Sequence, residues 1–322
     1  MHSGTSRKAM LAARSSLPLI SRRWRFRLLG PVVTVLFLLA SGPGGAQTSH
    51  DRAFWVALRT SGFALPQGAP VLPLALEAAA LLGSTDPELR DDIAYSAIET
   101  WVYRQQRLDA ADLERLRSTL AANARRGLGD GAGDGLFLRS FSLLALSVLA
   151  AEDLKRPFLD TQRFESLIDL AIEELAHERD LRGYIPGKGW GHATAHCADL
   201  LKFLARSGRL RVQQQPRMVN AIAGRLRSAG LVFVWGEDAR LGAALTAIAI
   251  RTDADPVAFI AWCKRLEQEH AALWNGSFDA QRYVAVRAQL NALNAFTADL
   301  DASSAGAEPI RAALRSLHTQ AQ

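Results

Sequence analysis

Downstream of residue 86, apolar positions recur at three- and four-residue intervals along nearly the whole chain, the pattern of helices with one buried face. The run ELRDDIAYSAIETWVYRQQ, residues 88–106, places Leu89, Ile93, Ile98, Trp101 and Val102 at helical spacing. Asp86-Pro87-Glu88 ahead of it supplies an N-cap, a proline suited to the first helical position and an early acid. Asp109 opens AADLERLRSTLAANARRGL, and Asp134 opens LFLRSFSLLALSVLAAEDL after the loop GDGAGDG. Asp160 or Thr161 opens QRFESLIDLAIEELAHERD. Further helical stretches are expected over about 190–206, 214–228, 237–251, 254–274, 279–300 and 306–319. No strand-type alternation and no hairpin signal stands out. The expected fold class is all-α, with about 11–12 helices.

The helices also recur. GDGLFLRSFSLLALSVLA at 133 is similar to GKGWGHATAHCADLLKFLA at 187, 54 residues on, and WGEDARLGAALTAIAI at 235 follows as a third copy. LRDDIAYSAIETWV at 89 is a candidate earlier copy. A period near 50 that contains two helices predicts a curved array of antiparallel helix pairs, HEAT- or armadillo-like, with one helix of each pair lining a concave side. The alternative is an irregular bundle.

The N-terminus departs from this pattern. Leu28–Ala40, LLGPVVTVLFLLA, is a 13-residue apolar run behind an arginine cluster, followed by small residues up to Ala46. That order predicts a secretory signal peptide over residues 1–46, cleaved after Ala46, ahead of a single helical domain, 47–322. The run falls short of the roughly 20 residues that span a bilayer, so no stable anchor is expected after cleavage. Arg22-Arg23 leaves a twin-arginine route open. The expected location is the periplasm or the medium. Arginine outnumbers lysine 33 to 5, a usage associated with GC-rich bacterial coding sequence, in keeping with that location.

The leader also changes the reading of charge. The chain carries 38 Lys+Arg against 32 Asp+Glu, a formal +6. Residues 1–46 hold seven of the basic residues and no acid, which leaves 31 against 32 in the mature part. The basic character therefore belongs to the leader, and a nucleic-acid partner is not expected. At 49% hydrophobic and 22% charged the chain is neither disordered nor fibrous, and two cysteines, Cys197 and Cys263, make no disulfide framework.

Candidate chemistry concentrates in DLRGYIPGKGWGHATAHCADLL, residues 180–201. A glycine-rich loop leads into a helix expected to begin near Trp190 and to carry His192, His196 and Asp199. At about 100° per residue these three share a stripe about 60° wide. Histidines at i and i+4 with an acid at i+7 are ligand types for a divalent ion such as zinc, with water activation as the chemistry. Ala193 stands where a zincin has its glutamate. A metal site, a metal-free polar cleft and a structural clamp all remain open. Arg182 and Lys188 beside the glycines are candidates for an anion, against the plainer reading of a glycine-rich turn; the spacing does not fit a P-loop. Glu237 or Asp238 could complete the His/His/Asp set from the next copy, with Arg240 beside them and Trp190 as an apolar wall. Cys197 faces away from His196 and reads as packed. Arg139, in an otherwise apolar helix, needs an acidic partner from a neighbouring repeat.

The four blocks LRDDIAYSAIETWV, LFLRSFSLLALSVLA, DLRGYIPGKGWGHATAHCADLL and WGEDARL, in this order, resemble the bacterial family catalogued as domain of unknown function 2785, over about residues 60–300. The positions that carry the resemblance are Asp91, Arg139, Gly189, Trp190, His192, His196, Asp199, Glu237, Asp238 and Arg240. It implies a choice of site and no activity. Two functions follow from the residues: a binding or scaffold module whose polar groove, built around His192, His196 and Asp199 and rimmed by the loop Gly183–Gly189, takes a peptide or small polar ligand, or a metal-assisted hydrolase-like enzyme using His192, His196, Asp199 and Glu237.

Overall fold

Aspartates start many of the helices. In the computed structural model, which describes residues 50–300 and 307–320, the side chains of Asp51, Asp109, Asp160 and Asp279 each accept a backbone N–H of the helix they precede. The expected leader and its cleavage point lie outside the described residues. Helices α1 (Arg52–Thr60) and α2 (Leu72–Leu81) come first. A continuous helix, α3, then joins two wide π-helical stretches, Glu88–Tyr95 and Thr100–Arg104, through Ser96–Glu99. After it come α4 (Ala110–Arg125), α5 (Gly135–Lys155) and α6 (Thr161–His177). The order closes with α7 (Ala193–Ala205), α8 (Gln215–Ser228), α9 (Glu237–Ala249), α10 (Val257–Ala271), α11 (Ala280–Asp299) and α12 (Glu308–Gln320). The fold is all-α.

Packing follows chain order with a step of two. Helix α3 packs on α5, α5 on α7, α7 on α9 and α9 on α11; α4, α6, α8, α10 and α12 make a second succession of neighbours. The helices that begin at Glu88, Gly135, Ala193 and Glu237 are therefore consecutive in one row. Helix α5 is apolar and long enough to cross a membrane, but 83% of its apolar window is buried inside the protein, so it is a core helix. One large cluster of buried side chains runs from Trp55 to Leu317, and a small satellite of Leu136, Phe137, Ile185 and Ala193 lies where α5, α7 and the intervening loop meet.

That loop contains an element the residue pattern does not announce. Tyr184–Ile185 (β1) and Gly189–Trp190 (β2) pair antiparallel, Tyr184 opposite Trp190, closed by a turn in which the Lys188 N–H donates to the Ile185 carbonyl at 3.0 Å. Two residues per strand give alternation nothing to show. The hairpin also moves the start of α7. The helix begins at Ala193, three residues later than expected, and His192 is its N-cap, with φ 54° in the left-handed region.

Candidate functional site

Glycines let the loop close onto its neighbours. A Cβ on Gly191 would sit 2.6 Å from the Arg182 carbonyl oxygen and 2.7 Å from Leu136 Cδ2. A Cβ on Gly183 would lie inside the Trp235 side chain, 2.3 Å from its Cδ1. Both contacts require the absence of a side chain. Trp235 is thereby laid against the hairpin, and three aromatic rings gather at the surface. Tyr184 and Trp190 have centroids 5.1 Å apart, and each lies 6.0 Å from Trp235. All three rings remain substantially exposed. An apolar patch of this kind on a folded chain marks a contact surface more often than chance.

Beneath the rings lie two buried polar side chains. His192 stacks under Trp190 at 4.4 Å, and its Nε2 is shielded from water with no hydrogen-bond partner. Glu237, at the first position of α9, takes the Trp235 N–H on Oε2 at 3.0 Å, and its Oε1 is 3.8 Å from His192 Nε2, too long for a hydrogen bond. Burial, then the Arg240 charge, pushes the His192 pKa down to about 4. Burial raises that of Glu237. His192 is thus neutral at neutral pH.

The expected set of His192, His196 and Asp199 does not converge. As an N-cap in left-handed backbone, His192 is off the helical stripe expected to hold all three. Its ring stands edge-on to His196, with centroids 5.9 Å apart. His196 is turned into the protein against Phe141, with Nδ1 2.8 Å from Ser140 Oγ and 3.2 Å from the Ser140 carbonyl. A carbonyl only accepts, so Nδ1 carries the proton. Ser140 Oγ in turn donates to the Gly191 carbonyl, so the imidazole and the serine tie the loop to α5 and α7. Complete burial, with Arg240 next, holds the His196 pKa well below its ordinary value. Asp199 is occupied by two cations, Lys202 at 2.8 Å and Arg240 at 2.5 Å. Among the described residues no group of three or more His, Cys, Asp or Glu side chains could hold a metal ion. The donor set does not fit zinc, and the metal reading is corrected on that geometry. Asp238 sits in the first turn of α9 and accepts the Ala239 N–H, apart from the histidines.

The cations of the loop are also committed. Lys188 pairs with Asp134 at 2.6 Å, and Arg182 pairs with Asp180 and donates to the Gly133 carbonyl. Asp134 makes no capping hydrogen bond, since its carboxylate faces Lys188. These partners favour the glycine-rich turn over an anion-binding loop. Arg139 finds the acid it requires in Glu178, through two hydrogen bonds of 2.6 and 3.1 Å, both residues fully buried. Cys197 is packed, its thiol on the Ala171 carbonyl.

Sequence reasoning missed Arg90. Its guanidinium is wholly buried, 4.1 Å over the Phe137 ring, and donates to the Lys188 carbonyl at 2.7 Å, which holds the hairpin to α3. The available signal was an arginine between Leu89 and Ile93 on the apolar side of a helix. The expected groove around His192, His196 and Asp199 is displaced: the cleft keeps Gly183, Tyr184 and Glu237 but none of those three side chains. A groove of about 430 Å³ runs between the segment Arg179–Tyr184 and the segment Ala229–Trp235, with Glu237 at one end. Leu181, Leu231, Phe233 and Val234 make its walls apolar. The main-chain N–H and C=O groups of Leu231–Val234 have no hydrogen-bond partner among the described residues.

No curated protein matches the chain, and no solved structure matches it. The first of the four sequence blocks, with Asp91, lies upstream of the region that a family model recognises, whereas Arg139, Glu178, both histidines, Asp199, Trp235 and Glu237 lie within it. Over residues 126–295, more than half its length, the chain matches the model described as "Protein of unknown function (DUF2785)", and it belongs to that family.

Proposed function

We propose that the protein is an exported binding module, built as a curved HEAT-like array, whose groove between Arg179–Tyr184 and Ala229–Trp235 takes a peptide or small polar ligand. The observation that carries this reading is a stretch of unpaired main chain, Leu231–Val234, set in apolar walls and rimmed by three exposed aromatic rings. Unpaired N–H and C=O groups beside apolar pockets are what an extended peptide uses when it adds to a backbone edge. The step-of-two succession of α3, α5, α7, α9 and α11 supports the array, because a helical-hairpin repeat brings like helices into register. A peptide is favoured over a small polar ligand by the walls, whose polar side chains are Arg179, Glu237 and the Arg182–Asp180 pair. With His192, His196 and Asp199 not converging on one point, no observation favours the metal-assisted hydrolase.

The groove is tested by titrating the mature chain with pooled blocked tetrapeptides that differ in one apolar residue, and separately with free amino acids and oligosaccharides, while tryptophan emission is followed. The expected result is a saturable change with a subset of the peptides that Trp235→Ala loses. A response to the small polar compounds alone would reassign the ligand, and silence in every series would reject the groove as a binding site. Export is tested by sequencing the N-terminus of protein from the periplasm. It is expected to begin at Gln47 or within a few residues. A product that starts at Met1 or Met10 and stays in the cytoplasm would overturn export.

A further inference from the structure

A second cleft, of about 450 Å³, lies between α8, α10 and α11 and shares no lining residue with the groove. Three arginines line it, one from each helix: Arg227 in the last turn of α8, Arg265 in the middle of α10 and Arg282 in the first turn of α11. Elsewhere on the same succession of helices, arginines are paired across the surface, Arg125 with Glu173 at 2.9 Å, Arg217 with Asp169 at 2.7 Å and Arg211 with Glu165 at 2.5 Å. The three guanidinium groups of the cleft have no ion-pair or hydrogen-bond partner among the described residues. Arg265 Nε is moreover shielded from water with no acceptor. A buried N–H of a charged group left without an acceptor is costly, and an acceptor supplied from outside removes that cost.

The single acid at the cleft, Glu269, accepts from Gln289 through Oε2 at 3.2 Å, and Gln289 is itself held by the Trp262 ring N–H at 2.8 Å. Three positive charges against one negative leave the cleft cationic. Ala272, Ala285 and Val286 give it an apolar floor. Guanidinium groups present paired N–H donors in a plane that match the oxygens of a carboxylate or a phosphate. We infer that this cleft binds a small anion carrying at least two negative charges on carboxylate or phosphate oxygens, with Arg265 as its central donor and Arg227 and Arg282 closing from either side.

The inference is tested by thermal unfolding of the mature chain in increasing citrate, and separately in increasing inorganic phosphate, each against sodium chloride at matched ionic strength. A ligand that binds only the folded state raises Tm from concentrations near its Kd, and above Kd the rise follows the logarithm of concentration. Both salts also stabilise proteins by exclusion from their surface, an effect that grows in proportion to concentration and is small at low concentration. The expected result is a logarithmic rise that begins at low concentration, with an onset that Arg265→Gln moves to at least tenfold higher concentration. Arg282→Gln, at an exposed position, is expected to move the onset as well, and keeps the test usable if Arg265→Gln unfolds. A logarithmic rise with citrate alone assigns a polycarboxylate, and with phosphate alone a phosphate ester. A rise that is the same in both variants as in the parent, or no rise beyond that in chloride, would overturn the inference.

Discussion

Arg139→Met should lower the stability of the folded chain by about 3–5 kcal/mol, the usual cost of breaking a buried ion pair from one side. Arg139 and Glu178 are 2% and 3% exposed. Burial works against the Arg139 charge, but the hydrogen bonds and charge of Glu178 outweigh it and hold the guanidinium pKa above its ordinary value. Methionine keeps most of the aliphatic volume and removes the charge, which leaves Glu178 with the Asp180 N–H at 2.8 Å as its hydrogen-bond donor. For a domain of this size the loss corresponds to a fall in Tm of about 6–15 °C. Replacing both partners, Arg139→Met with Glu178→Leu, should recover much of it, because a buried pair exchanged for apolar side chains is often neutral. Urea unfolding of the three proteins decides the matter. A single variant that costs less than about 1 kcal/mol would mean that water reaches the pair. The pair also matters for the groove, since Glu178 adjoins the Arg179–Tyr184 wall and its carbonyl takes a hydrogen bond from Arg225 at 2.8 Å. Ligand binding should therefore weaken in Arg139→Met even where the protein stays folded.

Helix positions were legible because they are written locally. Asp109 and Asp160 cap the helices they were expected to cap, and the apolar spacing of the following runs fixes the buried faces. The charge on Arg139 likewise announced a missing partner. The partner's identity did not show, because Glu178 lies 39 residues away. Arg90 and Lys188, which meet across 98 residues, are further beyond any local pattern. The hairpin escaped because each strand has two residues. Its effect reached furthest at His192: once Gly189 and Trp190 pair as strand, the helix starts three residues later, and a spacing of four no longer places His192 and His196 on one stripe. The aromatic rim was half legible. Trp190 was in view as a wall, but Trp235 acquires its role only through its contact with Gly183, which is a fact of tertiary packing.

A single carboxyl group, that of Glu174, should make the protein lose stability as pH rises from about 4.5 to about 8. It lies on α6, 2% exposed, and neither carboxylate oxygen has a hydrogen-bond partner. Burial, reinforced by the Glu178 charge, pushes its pKa up to about 8, while Arg139 and Arg225 pull in the opposite direction. In the unfolded chain the same group titrates near 4.3. Between the two values the folded state holds a proton that the unfolded state has released, so raising pH favours unfolding, and the full stability is present only below the unfolded value. Each pH step of one between the two pKa values is worth about 1.4 kcal/mol, so the loss across this window is roughly 3–6 kcal/mol. His192 runs the other way. Its folded pKa, about 4, lies below the unfolded value, so it adds stability as pH rises from about 4 to 6.5. His196, held low by burial, acts in the same sense as His192, while Asp91, pushed by burial up to about 6, and Glu237 act in the same sense as Glu174, so the parent combines all of these effects. Glu174→Gln removes the Glu174 contribution and keeps the rest. The variant should match the parent near pH 4.5 and exceed it by several kcal/mol at pH 8.5, the difference opening across that interval. Urea unfolding at pH 5, 6.5 and 8 reads the difference directly. Parallel curves for the two proteins would show that Glu174 is ionised in the fold, with Arg225 as the countercharge.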